Sequence, residues 1–250
     1  MIILDKFLEE YNKQKEILIR NKKFRQDKLE EAIKKYENIK NSNVDRKEIK
    51  LQLAATNIGI RRYALEQIND ELQFIRPANI EDIEYRTRQY KEFSEIIEEF
   101  LPDDLPLRFH GCPIYNAKKI IESGEISASS DRVGFNTSYD VTGQISVTTK
   151  YSLPITVQSY AGLMGNYNMP AGCIFVVLPK DDNDRESGES LLMGNVNFKE
   201  EPSRLYAIIT TPENINMVSK WCKENNVDSG KVYDYDSFAL LFKQKNVIKK

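Results

Sequence analysis

The sequence has little of what a disulfide-bonded, metal-binding or membrane-spanning protein needs. It contains one histidine and three cysteines, and Cys112, Cys173 and Cys222 are widely spaced without a CxxC pair. An odd number of isolated cysteines argues against a disulfide framework and a structural zinc site. No apolar run approaches the length that spans a bilayer. We therefore expect a cytoplasmic protein with no metal ion and no membrane segment.

Glycine and proline are almost absent from the first part of the chain. Residues 1–101 hold one of the eleven glycines, Gly59, and one of the nine prolines, Pro77. Apolar residues there recur at three and four positions, which is the period of an amphipathic helix. The first stripe is Leu4, Phe7, Leu8, Tyr11, Leu29, Ile33, Tyr36 and Ile39, and the second is Leu51, Ala54, Ile58, Leu65, Ile68, Leu72 and Ile75. The polar residues 41–43 separate two long helices that we expect to pack antiparallel.

A third helix is predicted after Pro77, with Asn79 as its N-cap. Glu81 and Asp82 lie in its first turn, where negative charge is favourable to the helix dipole. Its apolar face comprises Ile83, Tyr90, Phe93, Ile97 and Leu101. Residues 1–105 are therefore interpreted as a helical hairpin or three-helix bundle. Such a region can form a coiled coil, bind a partner or make a homo-oligomer.

The net charge of −2 conceals an uneven distribution of charge. Residues 1–76 carry 17 Lys or Arg against 13 Asp or Glu, residues 77–105 carry 3 against 9, and the remainder balances at 16 against 16. Four excess positive charges on a long helical region are typical of a solvated surface rather than of a nucleic-acid track. A protein partner or acceptor is favoured over a nucleic acid.

The pattern changes after residues 102–106. Short β-rich runs, 173–178 and 205–211, stand between glycines and prolines without regular alternation with helices. This pattern predicts an α+β domain over residues 106–250 and not a doubly wound parallel sheet. The chain has no GxGxxG motif and no P-loop, so the common nucleotide-binding folds lose their sequence support.

The only histidine lies in the motif Phe109-His110-Gly111. The segment 107–124 predicts a strand that ends in His-Gly, followed by a helix that begins at Pro113 and is closed by Gly124. Such a strand end would leave an imidazole and a bare backbone amide projecting into a cleft. A lone histidine is more often a structural residue, and on the residues alone that alternative stays open.

Two further segments place polar residues beside short strands. The run 143–149 predicts a strand on which Ser146 and Thr148 share one face, and a helix is expected to follow from Pro154 through Tyr160. For that strand, an ordinary buried strand with polar edges is an equal alternative.

The last segment has Glu189 just before a short apolar run, and leads through Glu200 and Glu201 to the strand 205–210. A fixed carboxylate of this kind stabilises the oxocarbenium-like state in which a ribosyl bond breaks.

The order of these segments resembles that of the ADP-ribosyltransferase superfamily, which includes the poly-ADP-ribose polymerases and diphtheria-toxin-like enzymes. In that family the histidine binds the adenosine ribose and the next glycine presents backbone groups to the nicotinamide amide. The resemblance gives these roles to His110 and Gly111. It also implies an ADP-ribosyltransferase-like split β-sheet, with NAD as co-substrate and no metal ion.

The resemblance extends to the later segments, over residues 107–220. It implies that Ser146 and Thr148 support the site, that Tyr160 stacks on nicotinamide, and that Glu189 is the catalytic carboxylate, with Glu201 as the alternative. Ser146 stands where a tyrosine is usual in the histidine-tyrosine-glutamate branch. In this respect the chain is similar to the arginine-serine-glutamate branch.

The expected function is NAD-dependent mono-ADP-ribosylation, a pentosyl transfer, of a macromolecular target. Richness in Lys, Asn and Ile is typical of an AT-rich genome, and enzymes of this kind suit a bacterium or its phage as toxin, defence or counter-defence factors. One alternative is an RNA 2′-phosphotransferase, for which only Arg108, Arg132 and Lys150 offer nearby phosphate ligands. Another is a catalytically inactive interaction protein on the same fold. A nucleophilic Cys112 would lack an evident orienting partner.

Overall fold

A computed structural model describes residues 2–127, 144–147, 158–180, 191–193 and 195–247. These residues form a mixed α+β structure with an N-terminal helical region and a small mixed sheet, which confirms the predicted fold class at that level. The chain divides into two units, Met1–Pro77 and Ala78–Lys250. We refer to them as the hairpin and the sheet unit.

The hairpin consists of two long helices, α1 (Ile2–Lys40) and α2 (Lys47–Phe74), which pack against each other. The polar break predicted at residues 41–43 lies in the short connection between them. Among the described side chains of this unit, the buried apolar residues are Ala54, Ile68 and Ile75. The boundary between the two helices lies where the sequence predicted it, but Leu8 and Ile33 of the predicted first stripe are exposed.

The third helix, α3 (Ile80–Phe100), starts as predicted, because the Asn79 side chain accepts a hydrogen bond from the Glu81 amide at 3.0 Å. Its apolar face contributes Phe93 and Ile97, both fully buried, to the core of the sheet unit. The sequence pattern predicted that this helix belongs to the helical region of residues 1–105. In the structure it packs with the sheet unit instead, since its buried face is complementary to the aromatic C-terminal helix.

Among its described residues, the sheet unit continues with three more α-helices and eight short strands. The helices are α4 (Ile114–Ser123), α5 (Pro212–Glu224) and α6 (Tyr235–Val247). The strands are β1 (Arg108–Cys112), β2 (Glu125–Ile126), β3 (Gln144–Ser146), β4 (Cys173–Val177), β5 (Leu191–Met193), β6 (Val196–Asn197), β7 (Leu205–Thr210) and β8 (Val232–Asp234). Strands β4 and β7 coincide with the β-rich runs seen in the sequence, and β1 contains the strand predicted at Phe109-His110-Gly111.

Four of these strands form one sheet in the order β1-β4-β7-β8. Strands β1, β4 and β7 pair antiparallel, and β7 pairs parallel with β8. Two antiparallel ladders, β2-β6 and β3-β5, complete the described strands. Strand β1 lies at one edge of the four-stranded sheet, so its outer side is not paired within that sheet.

One face of the sheet packs into an apolar core with α3 and α6. The largest members of this core are Phe93, Phe109, Tyr235, Phe238 and Phe242, all at most 1 % exposed. The rings of Phe93 and Tyr235 meet edge-on with centroids 4.8 Å apart. Buried aromatic pairs of this geometry contribute packing energy beyond the area they bury.

The chain enters β4 through a backbone contact that requires glycine at position 172. A Cβ atom on Gly172 would lie 1.9 Å from the carbonyl oxygen of Cys112. The Gly172 amide donates to the Ala161 carbonyl at 2.6 Å, and its carbonyl accepts from Thr210 Oγ1 at 3.0 Å. These bonds join the start of β4 to β7 and to the turn at Ala161.

Candidate functional site

His110 and Gly111 lie on the edge strand β1, opposite Phe175 and Ile174 of β4. Phe109 is fully buried in the apolar core, and alternation along the strand directs His110 to the opposite face. Both His110 and Gly111 are partly exposed. The predicted strand therefore forms around the motif, although it continues to Cys112 instead of ending at His-Gly.

The helix after the motif is also formed. Gly124 ends α4 in the left-handed region with φ of 75°, as its position in the sequence predicted. Pro113 is the residue before the first helical position and not the first helical residue itself, a difference of one position. The strand and helix place the motif at the start of a regular β–α unit.

An aromatic pair lies on the same sheet face as His110. Phe175 is the cross-strand partner of His110, and such partners have neighbouring side chains. The ring of Phe175 stacks on that of Phe198 with centroids 5.8 Å apart and planes 7° apart. The Phe198 amide donates to the Gly124 carbonyl at 2.7 Å. The Phe175–Phe198 pair is buried, so His110 is the partly exposed side chain at this position of the sheet face.

Tyr160 ends a helical turn at residues 158–160, and 61 % of its surface is exposed. The next residue, Ala161, accepts the hydrogen bond from Gly172, which directly precedes the β4 partner of Cys112. The turn that carries Tyr160 is therefore connected to the end of β1 that follows His110. Its exposed ring is free to stack on a ligand.

The β3-β5 ladder brings two of the predicted motifs together. Ser146 pairs with Leu191, which follows Glu189 by two positions in the sequence. Glu189 itself and Thr148 lie outside the described residues. The structure thus places the strand of Ser146 beside the strand that begins two residues after Glu189.

Glu201 lies at the other end of β1 from the Tyr160 turn. Its carboxylate is 2.7 Å from Lys180 Nζ, just beyond β4, and 3.6 Å from Arg204. The hydrogen bond from Lys180 lowers the pKa of Glu201, and the charge of Arg204 lowers it further. Because β4 runs antiparallel to β1, this ion pair neighbours Arg108 and not Gly111. The structure does not bring Glu201 and the Tyr160 turn together.

A buried arginine that no sequence motif indicated holds the loop after Tyr160. Arg86 is 1 % exposed and donates to the carbonyl oxygens of Gly162, Leu163 at 3.3 Å and Met169 at 3.1 Å. Its guanidinium also lies 3.2 Å from the carboxylate of Asp82. Buried charges are stable only when paired and hydrogen-bonded in this way. Arg86 therefore positions the loop between Tyr160 and β4.

The sequence signal for this pair was its spacing, because Asp82 and Arg86 are four residues apart on the predicted α3. The same spacing produces exposed ion pairs, as with Lys118 and Glu122 on α4. Only the tertiary structure distinguishes a buried pair from a surface pair.

All three cysteines are reduced and buried. Burial raises the pKa of the Cys112 thiol well above its ordinary value, and it raises the pKa of Cys173 and of Cys222 to about 12. A thiol must ionise to act as a nucleophile. The structure therefore argues against a nucleophilic role for Cys112.

Within the described ranges, no three His, Cys, Asp or Glu side chains are arranged to hold a metal ion. No described helix is long and apolar enough to cross a membrane. Comparison of the chain with protein-family models, curated proteins and solved structures finds no match.

Proposed function

We propose that the sheet unit is an NAD-dependent mono-ADP-ribosyltransferase that modifies a macromolecular acceptor, with a protein favoured over a nucleic acid. The observation that carries the proposal is the pairing of Ser146 with Leu191. The family resemblance selects the segment of Ser146 and the segment of Glu189 as parts of one site, although they are far apart in sequence. The two segments provide neighbouring strands, with Glu189 two positions before the paired residue.

His110 and Gly111 are proposed to bind NAD from strand β1. In this proposal His110 binds the hydroxyl groups of the adenosine ribose, and Gly111 offers its backbone groups to the nicotinamide amide. The partial exposure of both residues supports this role, since a ligand can reach them. Tyr160, with its exposed ring, is proposed to stack on nicotinamide.

The reaction we propose breaks the glycosidic bond between nicotinamide and its ribose. The bonding electrons leave with nicotinamide, and the ribose carbon gains positive charge. Glu189 stabilises that charge as a fixed carboxylate and holds a hydroxyl group of the same ribose. An acceptor nucleophile then forms a bond to the ribose carbon and loses its proton. Ser146 is proposed to support the carboxylate from the neighbouring strand.

Glu189 is preferred to Glu201 as the catalytic carboxylate. Glu201 is engaged by Lys180 and Arg204, at the end of β1 away from the Tyr160 turn. Two neighbouring cations neutralise much of the field that a carboxylate would supply to a cationic transition state. Glu189 follows from the resemblance and from its position two residues before the partner of Ser146.

Of the three basic residues that could bind phosphate in an RNA 2′-phosphotransferase, Arg108 is buried. Arg108 is 7 % exposed, and its guanidinium donates to the carbonyl of Leu107 at 3.4 Å. A buried arginine engaged with the backbone is a poor phosphate ligand. Arg132 and Lys150 lie outside the described residues.

The alternative from another class is an inactive interaction protein. The exposed apolar surface of the hairpin favours binding of a partner, but it is compatible with an active sheet unit as well. NAD binding separates the two functions, because a purely structural partner protein has no need of it.

The test is mass spectrometry for nicotinamide release and for added ADP-ribose, using wild type, Glu189→Gln and Glu201→Gln. We expect wild type and Glu201→Gln to turn over at similar rates. Glu189→Gln should be slower by about 10²- to 10³-fold, the usual cost of losing one electrostatic contact to the transition state. Full activity of Glu189→Gln would refute its assignment. Absence of NAD turnover in all three proteins would refute the proposed ADP-ribosyltransferase activity.

A further inference from the structure

The hairpin exposes an unusual share of the large apolar side chains. Among the described residues, nine of the thirteen exposed large apolar side chains lie in the hairpin, while only three apolar side chains are buried there. Helices gain most of their stability in proteins from packing of an apolar face. The hairpin therefore has apolar surface suited to packing against another molecule.

Part of this surface is a second apolar stripe on α2, which we call the outer seam. It consists of Ile49, Leu53, Ile60 and Tyr63, exposed by 57 %, 67 %, 46 % and 58 %. The intervals between these residues are four, seven and three positions, the spacing at which helices pack side by side in coiled coils. Helix α1 adds Ile17 and Phe24, seven positions apart and also exposed. The pattern indicates a helical binding partner.

Two grooves run between α1 and α2 beside the outer seam. The smaller has a volume of about 230 Å³ and is lined by Phe24 and Ile60. The larger has a volume of about 590 Å³, and its apolar lining includes Ile39 and Leu53. Amphipathic helices bind proteins by placing apolar residues at intervals of three, four and seven into such grooves.

The rim of the grooves is cationic. Five basic residues line the two grooves, against a single carboxylate: Arg25, Lys28, Lys35, Lys50 and Arg61 against Glu31. The hydrogen bond from Lys28 lowers the pKa of Glu31, and the charges of Lys28, Arg61 and Lys34 lower it further. An acidic partner is thus complementary to this face.

A second copy of this chain would present the same cations. Two such faces in contact would bring like charges together, which disfavours pairing. A nucleic acid would match the charge, but phosphates would leave the aliphatic residues of the outer seam unburied. A helix with apolar residues on one face and carboxylates at its flanks would bury the outer seam and pair with the basic residues of the rim.

We propose that the outer seam and grooves of the hairpin bind an acidic amphipathic helix of a partner protein. The partner's apolar residues occupy the grooves, and its carboxylates pair with the basic rim. This binding site lies wholly within the hairpin and does not depend on the chemistry proposed for His110. The two proposals can therefore fail separately.

The experiment titrates the full chain into a fluorescein-labelled synthetic helix of about three heptads, with Leu at its core positions and Glu at its flanks. Fluorescence anisotropy reports binding. A second peptide has Lys in place of every Glu, and a third keeps the Glu residues but has Ser in place of Leu. We expect only the first to bind, and its binding to weaken as salt screens the charges.

Matched variants within the hairpin locate the site. Leu53→Ser should weaken binding by about tenfold or more, as loss of a central apolar contact does, while Ile19→Ser should not. Ile19 is 52 % exposed but does not line either groove. Arg61→Glu should weaken binding of the Glu peptide and permit binding of the Lys peptide. Arg62→Glu, at the neighbouring exposed position, should do neither.

Three results would overturn the proposal. The first is equal binding, or no binding, of the Glu and Lys peptides. The second is a homodimer of the full chain in analytical ultracentrifugation that Leu53→Ser dissociates, because a second copy would then occupy the seam. The third is binding of an RNA duplex that Arg61→Glu abolishes.

Discussion

The hairpin and the sheet unit differ in how many of their apolar side chains are buried. In the sheet unit, 32 apolar side chains are buried among the described residues, and its buried polar groups include Thr210 and Asn214, which donate to backbone carbonyls. Among the described side chains of the hairpin, three apolar ones are buried and nine large apolar ones are exposed. The difference teaches that one unit forms its own core, whereas the other has apolar surface available for a partner.

Because its side chains are more buried, the stability of the sheet unit should be more sensitive to single substitutions than that of the hairpin. A close-packed interior tolerates neither added nor removed atoms, because its neighbours cannot relax freely. A largely exposed pair of helices tolerates both added and removed atoms, because the affected side chains border solvent. Substitutions of the same type in the two units should therefore differ in their effect on stability.

The largest difference is expected between two Gly→Ala substitutions. Gly172→Ala should lower the free energy of unfolding by about 3 kcal/mol or more, because its Cβ would meet the Cys112 backbone at 1.9 Å. Gly59→Ala, on α2, meets no atom within 4 Å and should raise helix stability by about 0.5–1 kcal/mol. Thermal unfolding of each variant measures both changes. Equal effects of the two substitutions would contradict the comparison.

The second prediction concerns arginines with different burial. Arg86→Met should cost about 3–5 kcal/mol, since it leaves the buried Asp82 carboxylate without its cation. Arg62→Met, on the exposed surface of α2, should change stability by no more than about 0.5 kcal/mol. Urea denaturation gives the two values. If the buried pair is the cause, Asp82→Asn should recover part of the stability lost in Arg86→Met.

The smallest effect is expected for an ion pair that joins α3 to α6. Arg88 lies 2.7 Å from Asp236, and hydrogen bonds from Arg88 and Gln89 lower the pKa of Asp236. Both side chains are 44 % exposed, so solvent limits the contribution of the pair to less than about 1 kcal/mol.

The lowered pKa of Asp236 determines how the contribution of the Arg88–Asp236 pair to stability changes with pH. A carboxyl group whose pKa is lower in the folded state stabilises the protein above its unfolded pKa, and it loses that contribution as pH falls through the folded pKa. Wild type should therefore be slightly more stable than Asp236→Asn near neutral pH. The two should converge in acid denaturation experiments. A difference that grows as the pH falls would show that the pair does not act as described.

Much of the fold could be predicted from local patterns. The helical stripes located α1, α2 and α3, Asn79 located a helix start, and Gly124 located a helix end. Each of these signals depends on residues that are close in sequence. The strands β4 and β7 were likewise visible as apolar runs bounded by turn residues.

The features of the fold that the sequence did not predict depend on contacts between residues far apart in the chain. The role of Gly172 depends on the backbone of Cys112, and burial of Arg86 depends on carbonyl groups near residue 163. The packing of α3 in the core of the sheet unit depends on the aromatic residues of α6, which are far from α3 in sequence. Within the site, the pairing of Ser146 with Leu191 is a long-range register that no local pattern specifies.

The proposed NAD site is tested most directly by calorimetric titration of NAD into the full chain, using wild type and His110→Ala. Circular dichroism of both proteins serves to establish that they are folded. We predict that wild type binds NAD and that His110→Ala binds NAD about 10- to 100-fold more weakly, the cost of losing a hydrogen bond between His110 and the ligand. Equal affinity of the two proteins would remove His110 from the site. Absence of NAD binding by folded wild type would contradict the proposed function.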